Sequence, residues 1–342
     1  MAKKNILFVC FDDEYIITIE YKFAQLVGQQ ANVEFISEEK AFQRVLSMQK
    51  KFDIMILPKN ISVDKLDIYR NTKKYYLIDD VAEGNAPEYI YKYYSVKNII
   101  EKIDSTLMNH DMSEGSKGTK VVGVFSVAGG TGKTIAALSI SNKLACEGKR
   151  VLYISTVAHQ DFSYYLNCGE VLGAAFCYQC SINVKNALKI VQQEIKTEGF
   201  DFLPPFKNLP VSYQMTFETY VQIINYFKNN NSYDYIVVEL SSELHADKLA
   251  FLKNCDRKIF ITTQDMVAVK KLEAFLSNML DFNQNLVFVC NRYKKEQYDY
   301  LSASDVLRNY EFSEFIEEYQ GALALENVKN SQLFNKTVIC IL

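Results

Sequence analysis

Proline and glycine are scarce, five and thirteen in 342 residues, which leaves little room for long disordered tracts and predicts a chain that is compact nearly throughout. A basic surplus is also missing. Lys and Arg number 38 against 41 Asp and Glu, a net charge of −3, and this argues against a dominant non-specific grip on DNA, although a local basic patch fits within a mildly acidic whole. No apolar window is long enough to span a bilayer. Met1 to Asn5 leads into a short apolar run that Asp12-Asp13-Glu14 interrupts, so no export signal is read there. The eight cysteines are scattered through apolar segments, the usage of reduced thiols in cytoplasm. Cys177 and Cys180, with Cys168 upstream, form a cluster without a fourth ligand or a redox fold, and they are read as buried thiols.

What is present points to two α/β domains: the length exceeds one ordinary core, and hydrophobic residues make up 49% of the chain. The most informative stretch is Val121-Val122-Gly123-Val124-Phe125-Ser126-Val127-Ala128-Gly129-Gly130-Thr131-Gly132-Lys133-Thr134. An apolar strand breaks into glycines, then a lysine and a hydroxyl, then a helical pattern. Such a loop can turn several backbone N–H groups onto one anion at a helix N-terminus, with Lys133 reaching β- and γ-phosphates and Thr134 ligating Mg²⁺. Gly129, Gly130, Thr131, Gly132, Lys133 and Thr134 are the expected phosphate contacts.

The common spacing would place a further glycine at position 127, where Val127 stands. The loop instead resembles the deviant Lys-Gly-Gly-x-Gly-Lys-Thr form of the partition and cell-division ATPases, the ParA and MinD family, with Ala128 in the place of the signature lysine. The resemblance covers residues 119 to about 320 and implies a P-loop parallel sheet, ATP and Mg²⁺ as ligands, and a homodimer. Tyr233-Asp234-Tyr235-Ile236-Val237-Val238-Glu239 reads as a central strand delivering one acid, the position of a Walker B residue, so Glu239 joins Thr134 as a metal-site residue. The family carries aspartate there. Asn291-Arg292 ends the strand Leu286–Cys290 and matches the family pair whose asparagine contacts adenine; both are carried as nucleotide-binding residues. After the next strand, Arg150–Ser155, the family's water-positioning acids are replaced by Ser155 and Val157, with Asp161 nearby and read as a surface residue. Segment 162 to 228 reads as mostly helical, interrupted by a strand and rigid turn over Gly199–Phe206.

Residues 5 to 105 alternate strands (Ile6–Phe11, Val33–Ile36, Phe52–Leu57, Tyr75–Ile78, Tyr89–Tyr91) with helices (Ile16–Val27, Glu38–Gln49, Val96–Leu107). This order resembles the receiver domains of two-component systems, a flavodoxin-like parallel sheet, most visibly in Tyr89-Ile90-Tyr91-Lys92 and the helix after it. Counting along the third strand puts Pro58 where receivers carry the phosphoryl-accepting aspartate, and Asp79 where they carry a hydroxyl. A covalent carrier needs its nucleophile, so 1–108 is read as a pseudo-receiver kept for contacts, with Asp12 and Asp13 in a solvated loop. Residues 109–118 are polar and glycine-bearing and read as a linker to an ATPase domain over 119–342.

A degenerate receiver followed by an ATPase lacking some catalytic features resembles the TadZ and CpaE proteins. That implies an ATP-binding scaffold, dimeric, cytoplasmic and placed at a cell pole or membrane periphery, with pilus or secretion assembly proteins as partners and weak or no hydrolysis. Two other readings stay open: an active partition or septum-placing ATPase, and a regulator of the tyrosine-kinase type. The latter carries a C-terminal tyrosine cluster, whereas the 23 tyrosines here are spread along the chain and end at Tyr319. Over residues 322–342 a final helix or tail is expected, docked on its own domain rather than on a membrane, because Lys329 and Lys336 are its cations.

Overall fold

Runs rich in β-branched and aromatic residues, each followed by a helical segment, build two sheets of largely parallel strands. The computed structural model describes residues 3–27, 30–61, 66, 68–79, 86–94, 96–107, 118–167, 169–279, 285–318 and 333–342. Two units separate by their internal contacts: Met1–Lys117 with Ile339–Leu342, and Gly118–Val338. The linker expected at 109–118 lies, except for Gly118, outside the described residues, as does Cys168.

The first unit runs β1 (Lys4–Val9), α1 (Asp13–Val27), β2 (Ala31–Ile36), α2 (Glu39–Ser47), β3 (Ile54–Pro58), β4 (Lys73–Ile78), β5 (Tyr89–Tyr91) and α3 (Val96–Asp104). Its strands are all parallel in the doubly wound order β2-β1-β3-β4-β5. The two-residue period of β1 sends Ile6 and Phe8 into one core, which also holds Ile339, and Leu7 and Val9 into the core on the other face. At the carboxyl ends of these strands Lys92 Nζ lies 2.9 Å from Asp12 Oδ2 and 3.7 Å from Asp79 Oδ1, above the rings of Tyr15 and Tyr93. Asp12 Oδ1 also accepts a hydrogen bond from the Tyr15 N–H at 3.0 Å. Asp12 is therefore no part of a solvated loop: an ammonium group inside its reach and the first turn of α1 both fix it. Pro58 closes β3 beside this cluster.

The second unit runs β6 (Lys120–Phe125), α4 (Lys133–Cys146), β7 (Val151–Ser155), α5 (Ala174–Ile182), α6 (Val184–Glu194), β8 (Lys196–Thr197), β9 (Asp201–Phe202), α7 (Phe217–Asn229), β10 (Tyr235–Glu239), α8 (Ala246–Lys253), β11 (Arg257–Thr262), α9 (Met266–Ser277), β12 (Leu286–Tyr293) and β13 (Phe312–Glu317). The strand order is β13-β12-β11-β6-β10-β7-β9-β8, parallel except for the β8–β9 hairpin. That hairpin occupies the stretch read as one strand and a turn; Lys196–Thr197 carries too short a pattern to announce a strand of its own. A last helix, α10 (Asn335–Ile341), follows residues 319–332, which lie outside the described residues.

β6 is buried along nearly its whole length and sits between β10 and β11, so its apolar run needs no polar alternation. Gly123 keeps a tight approach open: a Cβ there would press on Cys255 Sγ and Leu252 Cδ1, each at 3.0 Å. The helix after it, α4, is buried from Ile135 to Leu144, and its two buried serines return their hydroxyls to the carbonyls four residues back, Ser139 to Ile135 and Ser141 to Ala137. The phosphate-type loop is thus held between a central strand and a buried helix.

Candidate functional site

Two glycines in the loop adopt conformations that other residues resist: Gly130 has φ +72° and Gly132, at the entry to α4, φ +89°. Gly132 has a second reason to lack a side chain, because a Cβ there would lie 2.3 Å from Asn291 Nδ2. Asn291 Nδ2 donates to the Thr131 carbonyl at 2.8 Å, so the end of β12 braces the loop. Gly129 and Gly130 leave open space where a Cβ would stand. Thr131 is 2% exposed, and its Oγ1 is buried with no hydrogen-bond partner among the described residues. Such buried hydroxyls are rare, and one inside a glycine loop is a donor suited to an acceptor such as a phosphate oxygen.

Lys133 Nζ donates to Ser242 Oγ at 2.7 Å, and Ser242 Oγ donates to the Ala128 carbonyl at 3.1 Å. Burial pushes the Lys133 ammonium below its ordinary pKa, and the charge of Glu239 pulls it back up. A desolvated ammonium held by one neutral hydroxyl is poised to take an anion. Ala128 is buried, its N–H bonded to Ser126 Oγ.

Glu239 ends β10 directly opposite Ser155 of β7 and Val124 of β6, and is 1% exposed. Thr134 Oγ1 donates to its Oε1 at 2.6 Å, while the Tyr153 hydroxyl at 2.7 Å and Ser155 Oγ at 2.9 Å both donate to Oε2. The structure therefore joins the two metal-site residues expected from sequence. It adds Tyr153 and Ser242, which sequence reasoning missed: both sit at positions that a pattern of strand and turn residues makes ordinary, and only the sheet register brings them to the site.

Gly130, Thr131, Gly132, Lys133, Thr134, Glu239, Asn291 and Arg292 line one cleft of ≈ 580 Å³. Apolar Ile316, Leu333 and Phe334 also line it, as do Asp161 and Tyr165. Gly129 faces instead a recess of ≈ 430 Å³ across the loop, shared with Arg292 and Lys271. Arg292 holds φ +55°, a left-handed backbone in a bulky residue, at the point where the two spaces meet. Cys177 and Cys180 are buried in the second unit's core, and burial pushes the Cys180 thiol up to about 12. Among the described residues no group of three or more His, Cys, Asp or Glu is arranged to hold a metal ion, and no helix is long and apolar enough to cross a membrane.

A family model described as an AAA domain matches residues 119–289. Similar solved structures include a ParA family ATPase from Chlorobium tepidum TLS, 17% identical, with TM-score 0.51 over 65% of this chain and 97% of that one. They also include the septum site-determining protein MinD from Pyrococcus horikoshii OT3, complexed with Mg-ADP, 18% identical, with TM-score 0.48 over 64% and 94%. A putative plasmid partition protein from Borrelia burgdorferi B31 bound to AMPPNP is 18% identical, with TM-score 0.43 over 66% and 98%. No curated protein matches the chain. The glycine loop between β6 and α4, the parallel sheet around it, the likeness to the ParA fold and a domain match over half of the sequence agree, and the chain belongs to the AAA domain family, with a ParA/MinD-type P-loop fold.

Proposed function

We propose that this protein binds ATP with Mg²⁺ and acts as a nucleotide-stabilised dimeric scaffold of the TadZ and CpaE kind, one that positions a pilus or secretion assembly machine and hydrolyses ATP weakly or not at all. The observation that carries the nucleotide reading is the Thr134–Glu239 pair beside an open glycine loop whose buried Thr131 hydroxyl has no partner among the described residues. The donor set suits the cation: a threonine hydroxyl and a carboxylate are hard oxygen ligands, and Thr134 and Glu239 would hold Mg²⁺. Bound there, Mg²⁺ supplies neutralisation of phosphate charge.

This chain's own groups do the rest. The loop amides, Lys133 and the Thr131 hydroxyl take the phosphates, and the apolar lining residues Ile316, Leu333 and Phe334 receive the base. Asn291 has its Nδ2 committed to Thr131, which leaves Oδ1 to accept from the exocyclic amine of adenine, a group that guanine replaces with a carbonyl. Slow turnover follows from two substitutions. Ala128 offers no cation, and Ser155, in the place of a water-positioning acid, spends its hydroxyl on Glu239.

The first unit fits the same reading as a pseudo-receiver, with Pro58 ending β3 and Lys92 already satisfied by carboxylates. An active ATPase for partition or septum placement is the second reading, favoured by Asp161 in the cleft lining. Calorimetry and single-turnover hydrolysis on the full chain separate the cases. ATP with Mg²⁺ binds in the micromolar range to the wild type and not to Lys133→Ala, and loaded ATP persists. Unchanged binding by Lys133→Ala sinks the site, and phosphate release that Asp161→Asn stops establishes the active enzyme.

A further inference from the structure

The three hydroxyls around Glu239 are not shared evenly. Among the described residues Thr134 alone engages Oε1, and Tyr153 and Ser155 both engage Oε2. Tyr153 and Ser155 stand two apart on β7 and so face the same side of the sheet, and the β7–β10 register sets Ser155 directly across from Glu239. Neither partner is loose. The Tyr153 ring is fully buried and packs edge-on against Phe162 with centroids 5.1 Å apart, and the Ser155 carbonyl accepts from Gln160 Nε2 at 2.8 Å. An aspartate at 239 would end about 1.5 Å short, one carbon–carbon bond, and could not keep both the Tyr153 and the Thr134 contacts.

We infer that Tyr153, with Ser155, is a positioning residue that pins Oε2 of Glu239 and leaves Oε1 as the one carboxylate oxygen offered to Thr134 and to a divalent cation beside it. The inference rests on the reading of the cleft as an Mg²⁺–ATP site, and it explains how a glutamate serves where the resembling ATPases carry the shorter acid. It also denies Glu239 a second task, because a buried carboxylate with Oε2 held by two buried hydroxyls does not swing out to orient water. Burial and the Glu239 charge raise the Tyr153 phenol well above its ordinary pKa, so it stays a donor throughout the neutral range.

The test measures ATP affinity by calorimetry, with EDTA and across an Mg²⁺ titration, on full-length wild type, Tyr153→Phe, Glu239→Asp and the double variant, with melting curves alongside. Wild-type affinity rises with Mg²⁺. Tyr153→Phe keeps the metal-free affinity and requires about tenfold more Mg²⁺ for the same gain, the usual scale for losing a group that orients a metal ligand. Glu239→Asp weakens the Mg²⁺ response as well, and the double variant is no worse than Glu239→Asp, because both changes remove one contact. A purely structural tyrosine would lower the melting temperature and metal-free affinity together and leave the Mg²⁺ midpoint in place. An Mg²⁺ response identical in wild type and Tyr153→Phe overturns this inference and spares the nucleotide site; a wild type that binds no ATP, or gains nothing from Mg²⁺, overturns both.

Discussion

The Asn291 side chain donates to the Thr131 carbonyl at 2.8 Å, a contact between residues 160 positions apart that fastens the end of β12 to the glycine loop. On the proposed ATP reading one asparagine has two jobs, bracing the loop through Nδ2 and meeting the base through Oδ1. Asn291→Ala therefore lowers ATP affinity by about five- to tenfold for the lost brace and removes any preference for ATP over GTP. Competition calorimetry with both nucleotides checks this; an equal loss for ATP and GTP, with the preference intact, would assign Asn291 to bracing only.

The same contact makes Gly132 irreplaceable. Its φ of +89° and the 2.3 Å approach of Asn291 Nδ2 to a would-be Cβ mean that Gly132→Ala must distort the loop or expel the asparagine. We expect a loss of about 1–3 kcal/mol in urea unfolding together with loss of ATP binding. Gly129→Ala, which meets nothing within 4 Å, should leave unfolding nearly unchanged.

Glu314 on β13 gives the second unit a pH dependence. Burial pushes its carboxyl up to about 7, against the Thr337 N–H and hydroxyl and the Lys336 charge, which act to lower it; Lys143 of α4 is a further positive charge facing it. The folded chain then holds a proton that the unfolded chain releases near the ordinary glutamate pKa of about 4.5, so this group's contribution to stability is full below that pH, declines up to about 7 and stays flat above. Glu314→Gln should flatten the slope of melting temperature between pH 5 and 7, a comparison that scanning calorimetry of both proteins makes directly.

In the first unit, acetyl phosphate and beryllofluoride should leave the protein unaltered by intact mass, since Pro58 offers no nucleophile and Lys92 is engaged by Asp12 and Asp79. Lys92→Ala should cost about 1–3 kcal/mol in urea unfolding, because it strands the partly buried Asp12 carboxylate. A mass gain in the peptide carrying Asp12 would refute the first expectation.

Much of the fold was legible because strand and helix periods in this chain are clean. The strand Tyr89–Tyr91 and the helix starting at Val96 fall where the pattern places them, and the other elements expected over residues 5 to 105 shift by only a few positions at their ends. The glycine loop was legible for a different reason, since Lys133 and Thr134 have no use in packing at that spacing. What escaped were residues whose role depends on register between distant strands. Tyr153 looks like one more aromatic in a buried strand until β7 pairs with β10, and Ser242 looks like a turn serine until Lys133 reaches it. The place of Asp12 is not legible, because Asp12 and Asp13 after a strand read as solvated and the lysine that pairs with Asp12 lies 80 residues on.

Ile339, near the last residue of the chain, is fully buried in the core that β1 and α1 help to form. Translation emits β1 well before Ile339, an interval on the order of tens of seconds at ribosomal rates. During that interval the first unit lacks a piece of its own interior, while the glycine loop waits for strands that close loops of 114 and 135 residues, through Thr119 to Tyr233 and Val121 to Asp256. A nascent chain halted between β13 and α10 would leave the hydrophobic seat of Ile339 open, an apolar surface that quality control can read.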